Sequence, residues 1–548
     1  MRLRAILPVL LLLAVAAWSQ QQQPAAATLM QGFGDNHHHP VTTSNEAAQR
    51  FFDQGLRLIY GFNHDEAAKA FRRATELDPN MAMAYWGVAL AVGPNYNLPV
   101  DPEREKIAYD SIQKALSLAP KASAVERAYI EALAKRYTNA PNPDYRSLAI
   151  AYKDAMRAVL ERYPDDLDAA TLYAESIMNL NPWKLWNKDG TPWEGTLEAI
   201  RVLESVMQRD PEHIGANHYY IHAVEASSNP ARGLAAANRL ASLAPSSGHL
   251  VHMPAHIYIR TGDYRAARQT NVDAAKADEA YIRASNTAGI YPLMYYSHNL
   301  HFIASAAMME GRFADARDAA DRLVRNVSPH LKDMPALETF TLMPVAVLLR
   351  FEKWDDILKI PQPDAAMKAS NAMWHYARGM ALASQDRVTE ANKEAQQLAS
   401  ALQATPPDAI WAMPFNNKTK DLLTIANHVL AGKIAMAKQD TTRAVDEYQR
   451  AVMVEDSLNY GEPPDWYFPV REALGTALLA RGDYKRAEEV FRADLQQHPR
   501  NGRSLFGLSQ SLKAQGRNDD DAFVQRQFEV AWKDADTPLK PVEIATEK

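Results

Sequence analysis

Histidines that recur at regular intervals are the residues of this sequence best suited to chemistry. A pair four residues apart returns 34 residues downstream, and a pair three residues apart returns 49 residues downstream. The residues concerned are His218, His222, His249, His252, His256, His298 and His301. Because spacings of three and four residues share one face of a helix, we expect these imidazoles to converge from neighbouring helices.

A convergent set of imidazoles is typical of a metal site. Protonated rings would repel one another, and neutral buried rings would need hydrogen-bond partners, so a bound cation explains the cluster best. Nitrogen ligands without thiolate suit copper, zinc, iron or nickel, and the order of affinities favours copper. The alternative is a polar surface on which single rings hydrogen-bond to neighbouring tyrosines.

Glu225 follows His222 by three residues and adds a carboxylate to the same helix face. The sequence therefore offers eight candidate ligands, enough for two ions, or for one ion with open positions and a supporting shell. Glu225 could bridge two ions, or act as the catalytic general base if it is not a ligand. The sequence predicts a site for one or two transition-metal ions and leaves copper, zinc and iron open.

The composition narrows the functional classes. The chain has 548 residues, 47% of them hydrophobic, so it can bury a large core. It contains no cysteine, which excludes disulfides, thiolate ligands and a cysteine nucleophile. A net charge of −6 argues against nucleic acid as a partner, since a surface that binds nucleic acid is strongly basic.

The N-terminus has the pattern of a secretory signal. Arg2 and Arg4 precede an apolar stretch over residues 5–17 that is too short to cross a bilayer. We expect a signal peptide over residues 1–19 and an exported protein that is periplasmic or secreted. No later segment has the apolar length of a transmembrane helix, so we expect no membrane insertion after signal cleavage.

Two segments near the ends of the chain share one spacing of small and aromatic residues. They read "FFDQGLRLIYGFNHDEAAKAFRRATELDP" and "GTALLARGDYKRAEEVFRADLQQHP". The shared positions are Phe51, Gly55, Ala67, Phe71, Ala74 and Pro79 in the first segment and Leu474, Gly475, Ala487, Phe491 and Pro499 in the second. This pattern resembles the tetratricopeptide-repeat family, whose repeat of about 34 residues matches the histidine period.

The resemblance implies an all-α fold, a superhelical solenoid of about ten helix hairpins with a concave groove. We assign this solenoid to residues 46–530, with its histidine-rich repeats at 214–330. A flexible segment at 20–45 precedes it, and a tail at 531–548 follows it. Weaker repeats are marked by turns such as "TGDYRAA" and "EGRFADA", each expected to start the second helix of a hairpin.

The family also implies which helix positions line the groove. In tetratricopeptide proteins these are positions 2, 5, 9, 12 and 13 of each repeat, most of them on the first helix. Counted back from Pro245 and Gly311, the candidates occupy such positions in three consecutive repeats. They are His218, His222 and Glu225 at positions 5, 9 and 12, then His249, His252 and His256 at 2, 5 and 9, then His298 and His301 at 2 and 5.

These observations predict an exported solenoid whose groove binds metal for chemistry on a small molecule or peptide. The competing interpretations are a scaffold that binds a partner protein, the commonest use of this architecture, and a protein for metal storage or delivery. The central region also resembles exported bacterial tetratricopeptide proteins rich in histidine, for which no reaction can be carried over. Two features remain open: the run His37, His38 and His39, and the aromatic loop from Trp183 to Trp193, which could cover the groove mouth.

Overall fold

The computed structural model describes residues 27–99, 101–412 and 417–541. The predicted signal peptide at 1–19 lies outside these ranges. The described residues form 25 α-helices joined by turns and short 3₁₀ or π segments, and they contain no β-strand. The predicted all-α solenoid is thereby confirmed. No helix among them has the length and apolar character that a membrane span requires.

The helices follow one another as antiparallel neighbours for most of the chain. Their bounds are α1 Glu46–Tyr60, α2 His64–Leu77, α3 Ala82–Val92, α4 Pro102–Leu118, α5 Ala124–Leu133, α6 Tyr145–Arg162, α7 Leu167–Met178, α8 Thr196–Arg209, α9 Ile214–Val224, α10 Leu234–Leu243, α11 Gly248–His252, α12 Pro254–Thr261, α13 Tyr264–Ser285, α14 Ser297–Glu310, α15 Phe313–Val327, α16 Met343–Arg350, α17 Trp354–Lys359, α18 Lys368–Ser384, α19 Val388–Ala404, α20 Thr419–Ala437, α21 Thr441–Glu455, α22 Val470–Ala480, α23 Tyr484–Gln497, α24 Gly502–Ala514 and α25 Asn518–Ala531.

Small residues allow consecutive hairpins to approach closely around one phenylalanine. The buried ring of Phe71 on α2 lies between Gly55 of α1 and Gly87 of α3, where an added Cβ would come within 2.6 and 2.3 Å of it. The ring of Phe491 is enclosed in the same way by two glycines in the C-terminal repeat. The glycines of the repeat pattern are therefore explained by packing, since any larger side chain would overlap the ring.

The turns predicted between the two ends each start a helix. The turn "TGDYRAA" ends at α13, where the Asp263 side chain accepts a hydrogen bond from the Ala266 backbone N–H. The turn "EGRFADA" leads into α15, and Gly311 adopts the left-handed φ of +75° that ends α14. An aspartate cap and a left-handed glycine are the standard devices for starting and ending helices.

The first helix of the central repeat is broken at a proline. The sequence predicts one helix through His252 and His256, but α11 ends at His252 and α12 begins at Pro254. Proline has no backbone N–H and its ring crowds the preceding turn. The break falls between the two histidines. A π-helical turn, Tyr291–Tyr296, likewise precedes α14, and such turns are frequent at functional sites.

The C-terminal repeats fold back onto the middle of the chain. Trp532, just after α25, packs its ring against Gly311, and Arg312 donates a 2.9 Å hydrogen bond to the Asp534 carbonyl. The Asp536 carboxylate accepts from the first backbone N–H groups of α15, at Phe313 and Ala314. This return brings the loop 457–469 over the histidine-bearing helices.

The N-terminal segment before α1 contacts the solenoid. The sequence predicts a flexible segment at residues 20–45, and in its described part, residues 27–45, backbone groups are hydrogen-bonded to solenoid side chains. The Gln54 side chain accepts from Met30 N–H at 2.7 Å and donates to the Thr28 carbonyl at 2.9 Å. The Glu126 carboxylate accepts from Thr42 N–H at 2.6 Å. Buried polar side chains of α1 and α5 thus satisfy backbone groups that a solvated tail would leave to water.

Candidate functional site

Three histidines from α9 and α11 form the first group, which we call site 1. His218 and His222 lie one turn apart on α9, and His249 approaches from α11. The Nε2 atoms of His218 and His249 are 3.2 Å apart, and one ring nitrogen of each of the three lies within 4.8 Å of the others. All three side chains are buried.

Three further histidines form site 2 with the same plan. His252 and His256 flank the proline break, and His298 approaches from α14. The Nε2 atoms of His252 and His256 are 2.8 Å apart, and the three residues again bring one ring nitrogen each within 4.8 Å. Two nitrogens bound to one tetrahedral ion at about 2.0–2.1 Å would be about 3.3 Å apart, close to these separations.

The two sites occupy equivalent positions in successive repeats. Each uses positions 5 and 9 of one repeat and position 2 of the next. Neighbouring rings also connect the sites, with ring centroids 5.7 Å apart for His249 and His252 and 5.5 Å apart for His222 and His256. The sites therefore lie side by side along the groove.

The outer nitrogens of the rings are held by acceptors. His218 Nδ1 lies 2.6 Å from the Tyr60 carbonyl oxygen, and His252 Nδ1 lies 2.8 Å from Asn271 Oδ1. The Asn271 amide is oriented by its own 2.7 Å donation to the Ala267 carbonyl. A carbonyl oxygen can only accept, so both rings carry their proton on Nδ1 and direct the Nε2 lone pair inward.

Glu225 is the acceptor that holds the outer nitrogens of His222 and His256. Its Oε1 lies 2.9 Å from His222 Nδ1, and its Oε2 is bound to His256 Nδ1. Although burial opposes ionisation, the charges and hydrogen bonds of these histidines lower the pKa of Glu225 to about 2. Glu225 thus lies between the sites as a carboxylate that orients one ring of each, the arrangement found behind many metal-bound histidines.

In the four rings whose Nδ1 is held by an acceptor, the inward Nε2 carries no proton. Nε2 of His222 is buried and has no hydrogen-bond partner among the described residues. In site 2 two Nε2 lone pairs face each other at 2.8 Å. Burial and the neighbouring rings hold the pKa of His218, His249, His252 and His298 well below the ordinary value, so an added proton is disfavoured. A cation between the nitrogens would remove this repulsion.

One phenylalanine covers each site. Phe62 lies with its ring centroid 4.5 Å from that of His218, and it also contacts His222 and His249. Phe302 lies 4.8 Å from His252 and contacts the other two rings of site 2. Phe62 adopts a left-handed φ of +54°, which is unfavourable for an aromatic residue and places the ring on the site.

Of the seven predicted histidines, His301 is the one that joins neither site. Its ring lies 5.7 Å from the rings of both Phe340 and Tyr467, on the side of the next repeat. Burial lowers the pKa of His301 to about 4. In the repeat pattern His301 corresponds to His218 and His252, but the residue four positions later is Ser305. A third triad is therefore incomplete.

Glu462 lies beside the centre and was not indicated by the sequence. It belongs to the loop 457–469, and its Oε2 is 3.4 Å from His256 Nδ1. Tyr460 donates a hydrogen bond to Oε1, whereas Oε2 has no hydrogen-bond partner in the described part of the chain. Burial and the charge of Glu225 raise the pKa of Glu462 well above its ordinary value. No periodicity marks this residue, because its place results from the return of the C-terminal repeats.

A cavity of about 830 Å³ opens next to the centre. The aromatic loop predicted to cover the groove, Trp183 to Trp193, forms one wall, and the loop 457–469 forms another. Two lining residues contact the triads: the Trp183 ring lies 5.6 Å from that of His222, and Glu462 lies beside His256. The triad histidines themselves do not line the cavity.

His37 and His39 of the N-terminal run form a separate cluster with His213 around Asp168, whereas His38 pairs with Asp53 at 2.8 Å. Oδ2 of Asp168 lies 2.7 Å from His39 Nδ1, and its Oδ1 lies 3.1 Å from His37 Nε2 and 3.3 Å from His213 Nε2. His213 Nδ1 accepts from the Ala216 N–H, so Nε2 carries the proton and donates to the carboxylate. This tautomer leaves His213 Nε2 no lone pair for a metal ion. We therefore interpret the group as an ion-pair cluster that anchors the N-terminal segment, and not as a metal site.

Known proteins resemble the chain in parts. Residues 52–92 and 472–529 match the family model described as tetratricopeptide repeat. No curated protein matches the chain. The human IFIT1 dimer with m7Gppp-AAAA is 12% identical, with 92% of this chain and 96% of that chain covered and a TM-score of 0.35. Yeast Tom70 is 11% identical, with 89% and 100% covered and a TM-score of 0.34.

The two matched segments include the hairpins in which glycines enclose a phenylalanine. Between these segments the helices continue as paired hairpins up to α25. Residues 52–92 and 472–529 are thus tetratricopeptide repeats, and the helices between them continue the same all-α solenoid.

Proposed function

We propose that this solenoid binds two transition-metal ions, one in site 1 and one in site 2. The observation that carries the proposal is the pair of repeat-related triads. Their Nε2 atoms approach to 3.2 and 2.8 Å, while Nδ1 of His218 and Nδ1 of His252 each donate to an oxygen outside the triad. Three histidines per ion, without thiolate, suit zinc, copper or iron. We assign Glu225 as the carboxylate that orients His222 and His256, rather than as a direct ligand.

We further propose that the ions serve chemistry on a small molecule or peptide. Three protein ligands leave coordination positions open, as catalytic sites require, whereas a closed structural zinc site uses four. The adjacent cavity, at about 830 Å³, is of the size that holds small-molecule ligands. The predicted export to the periplasm or beyond the cell belongs to the same proposal.

Metal content of single variants tests the two-site assignment. The full chain, purified without an affinity tag and loaded with Zn²⁺ or Cu²⁺, should hold about two ions. His218→Ala and His256→Ala should each retain about one ion, because each removes a ligand from a different triad. Elemental analysis after gel filtration measures this. His301→Ala is the matched control and should retain both ions.

Two results would overturn the assignment. Loss of both ions in either single variant would indicate one shared centre, and unchanged content in both would exclude the triads. Circular dichroism checks that each variant is folded before its metal content is compared.

A protein-interaction scaffold is the second candidate. The tetratricopeptide match favours it, because such arrays commonly present a groove to a partner. Substoichiometric metal after loading would support this scaffold, in which the histidines contribute only hydrogen bonds. Two ions bound without effect on any substrate would instead support metal storage or delivery.

A further inference from the structure

Arg260 is a partly buried cation of the cavity wall that no acidic residue in the described ranges neutralises, whereas Lys184 and Lys188 lie exposed at the rim. Among the described residues its guanidinium forms no ion pair with a carboxylate. It donates instead to backbone carbonyls, from Nε to Glu225 at 3.2 Å and from Nη2 to Ser227 at 3.4 Å. These two bonds hold the guanidinium plane while the other N–H groups remain for a ligand.

The acids of the cavity wall are occupied elsewhere. Asp456 is paired with Arg471 at 2.7 Å, and the Asp465 carboxylate accepts from Asn417 at 2.8 Å. Glu455 accepts from the backbone N–H of Val470 at 3.2 Å. Asp189 accepts from Thr191 Oγ1 at 2.6 Å, and Glu462 accepts from Tyr460. Burial raises the pKa of Glu462 and the Arg260 charge is close enough to oppose this shift, but no carboxylate of the described residues forms an ion pair with Arg260.

The position of Arg260 places this charge next to site 2. Arg260 follows His256 by four residues on the same helix, α12, which corresponds to one turn and about 6 Å along the axis. It occupies position 13 of its repeat, a groove position like those of His252 and His256. A small ligand held by Arg260 would therefore lie beside the residues that surround site 2.

The remaining walls are aromatic. Trp186 is held by a 2.8 Å hydrogen bond from its indole N–H to the Ala223 carbonyl, and Trp466 and Tyr467 are buried. The Tyr460 ring lies under the guanidinium, with its centroid 5.5 Å from Cζ of Arg260. Flat rings around a planar cation favour a ligand with a flat or apolar body.

We propose that the cavity takes a ligand with a carboxylate and an aromatic body, whose carboxylate pairs with Arg260. A guanidinium matches a carboxylate with two parallel hydrogen bonds, which an amide or an alcohol cannot reproduce. The inference rests on the proposed function only in placing the ligand beside a metal ion. The pairing itself requires no metal.

A matched pair of probes tests this pairing. 3-Phenylpropionate and 3-phenylpropanamide have the same shape and differ in charge. Titration of the full chain, followed by calorimetry and by the fluorescence of the cavity tryptophans, should show the carboxylate binding at least tenfold more tightly than the amide. In Arg260→Gln the preference should disappear, with a loss of roughly 30-fold for the carboxylate.

Two variants serve as controls. Arg260→Lys keeps the charge but loses the two parallel N–H donors of the guanidinium, so it should retain only part of the preference for the carboxylate over the amide. Lys188→Gln removes an exposed charge from the rim of the same cavity and should leave the preference within about twofold. Equal binding of the two probes, or a full preference in Arg260→Gln, would overturn the proposal.

The same titration on metal-free protein separates the two proposals. Carboxylate selectivity without bound metal would support the Arg260 site even if elemental analysis excluded the triads. Two bound ions with no selectivity between the probes would retain the metal sites and overturn this inference.

Discussion

At the scale of single residues, the candidate centre depends on which nitrogen each ring leaves free. Carbonyl and carboxylate oxygens hold Nδ1 of His218, His252, His222 and His256, so the opposite nitrogens face one another. Fixing the tautomer in this way prepares imidazole to act as a ligand. Glu225 is central because one carboxylate serves a ring of each site.

Replacing Glu225 with Gln tests this role. An amide offers one oxygen and one NH₂ group, so one of the two Nδ1–H groups loses its acceptor. That ring must then change tautomer and present N–H to the metal, and we expect metal affinity to fall about 10- to 100-fold. Competition with a colorimetric chelator measures the affinity.

Glu394→Gln is the control for this substitution. Glu394 also accepts from a histidine, His375, at 2.6 Å, but outside both sites. An affinity loss of equal size in both variants would contradict the orienting role of Glu225.

The sequence predicted most of these residues but not their grouping. Spacing and the tetratricopeptide register placed seven histidines and Glu225 on one groove surface. The sequence could not predict that His298 joins site 2 and His301 does not. Residues three apart share a helix face, but their side chains can reach different neighbouring helices. Glu462 carries no periodic signal and is visible only after the chain has folded back.

At the scale of secondary-structure elements, the repeat register explains why two sites exist. Position 2 of each first helix reaches back to the preceding repeat, whereas positions 5 and 9 reach forward. Pro254 breaks the central helix between His252 and His256, an effect that the presence of proline made foreseeable. The anchored segment at 27–45 was not foreseeable, because its partners Asp168 and Glu126 are distant in sequence.

The anchor of this segment should depend on pH. Burial opposes the charge on His39, but the hydrogen bond and charge of Asp168 prevail and raise its pKa from 6.5 to about 9. A pKa raised in the folded state contributes stability below about pH 6.5, and this contribution is lost as the pH rises through about 9. The His39 contribution is on the order of 3 kcal/mol.

Denaturant titrations at pH 7 and pH 10 measure this dependence. The wild-type chain should lose more unfolding free energy between these values than His39→Gln, which lacks the titrating ring. His38→Gln is the matched control, because the His38 side chain is 57% exposed and does not touch Asp168. An identical pH dependence in His39→Gln and the wild type would exclude the ion-pair anchor.

At the scale of the whole molecule, the array closes on itself, and this closure builds the cavity. The repeat pattern predicted the solenoid, since each hairpin buries its apolar face on its neighbours. It did not predict the closure, because the contacts between Trp532 and Gly311 or between Glu462 and His256 join repeats far apart in sequence. Local patterns carry no information about such contacts.

Removing the Trp532 ring tests the closure. The ring lies between Gly311 and Gly502, where an added Cβ would come within 2.4 and 2.2 Å of it. Trp532→Ala should lower the free energy of unfolding by about 2 to 3 kcal/mol and speed hydrogen exchange in the loop 457–469.

Phe523→Ala provides the comparison on the same last helix. Phe523 is 57% exposed, so its removal should change stability by less than about 0.5 kcal/mol. Unchanged exchange in the loop 457–469 of Trp532→Ala would show that the loop is held without the closure.

Anomalous X-ray diffraction from crystals of the metal-loaded chain tests the central claim most directly. Data collected on either side of the metal absorption edge locate each ion without reference to the protein density. The account predicts two peaks, one within bonding distance of His218, His222 and His249 and one within bonding distance of His252, His256 and His298. Ordered histidines with no peak between them, in protein supplied with excess metal, would contradict it.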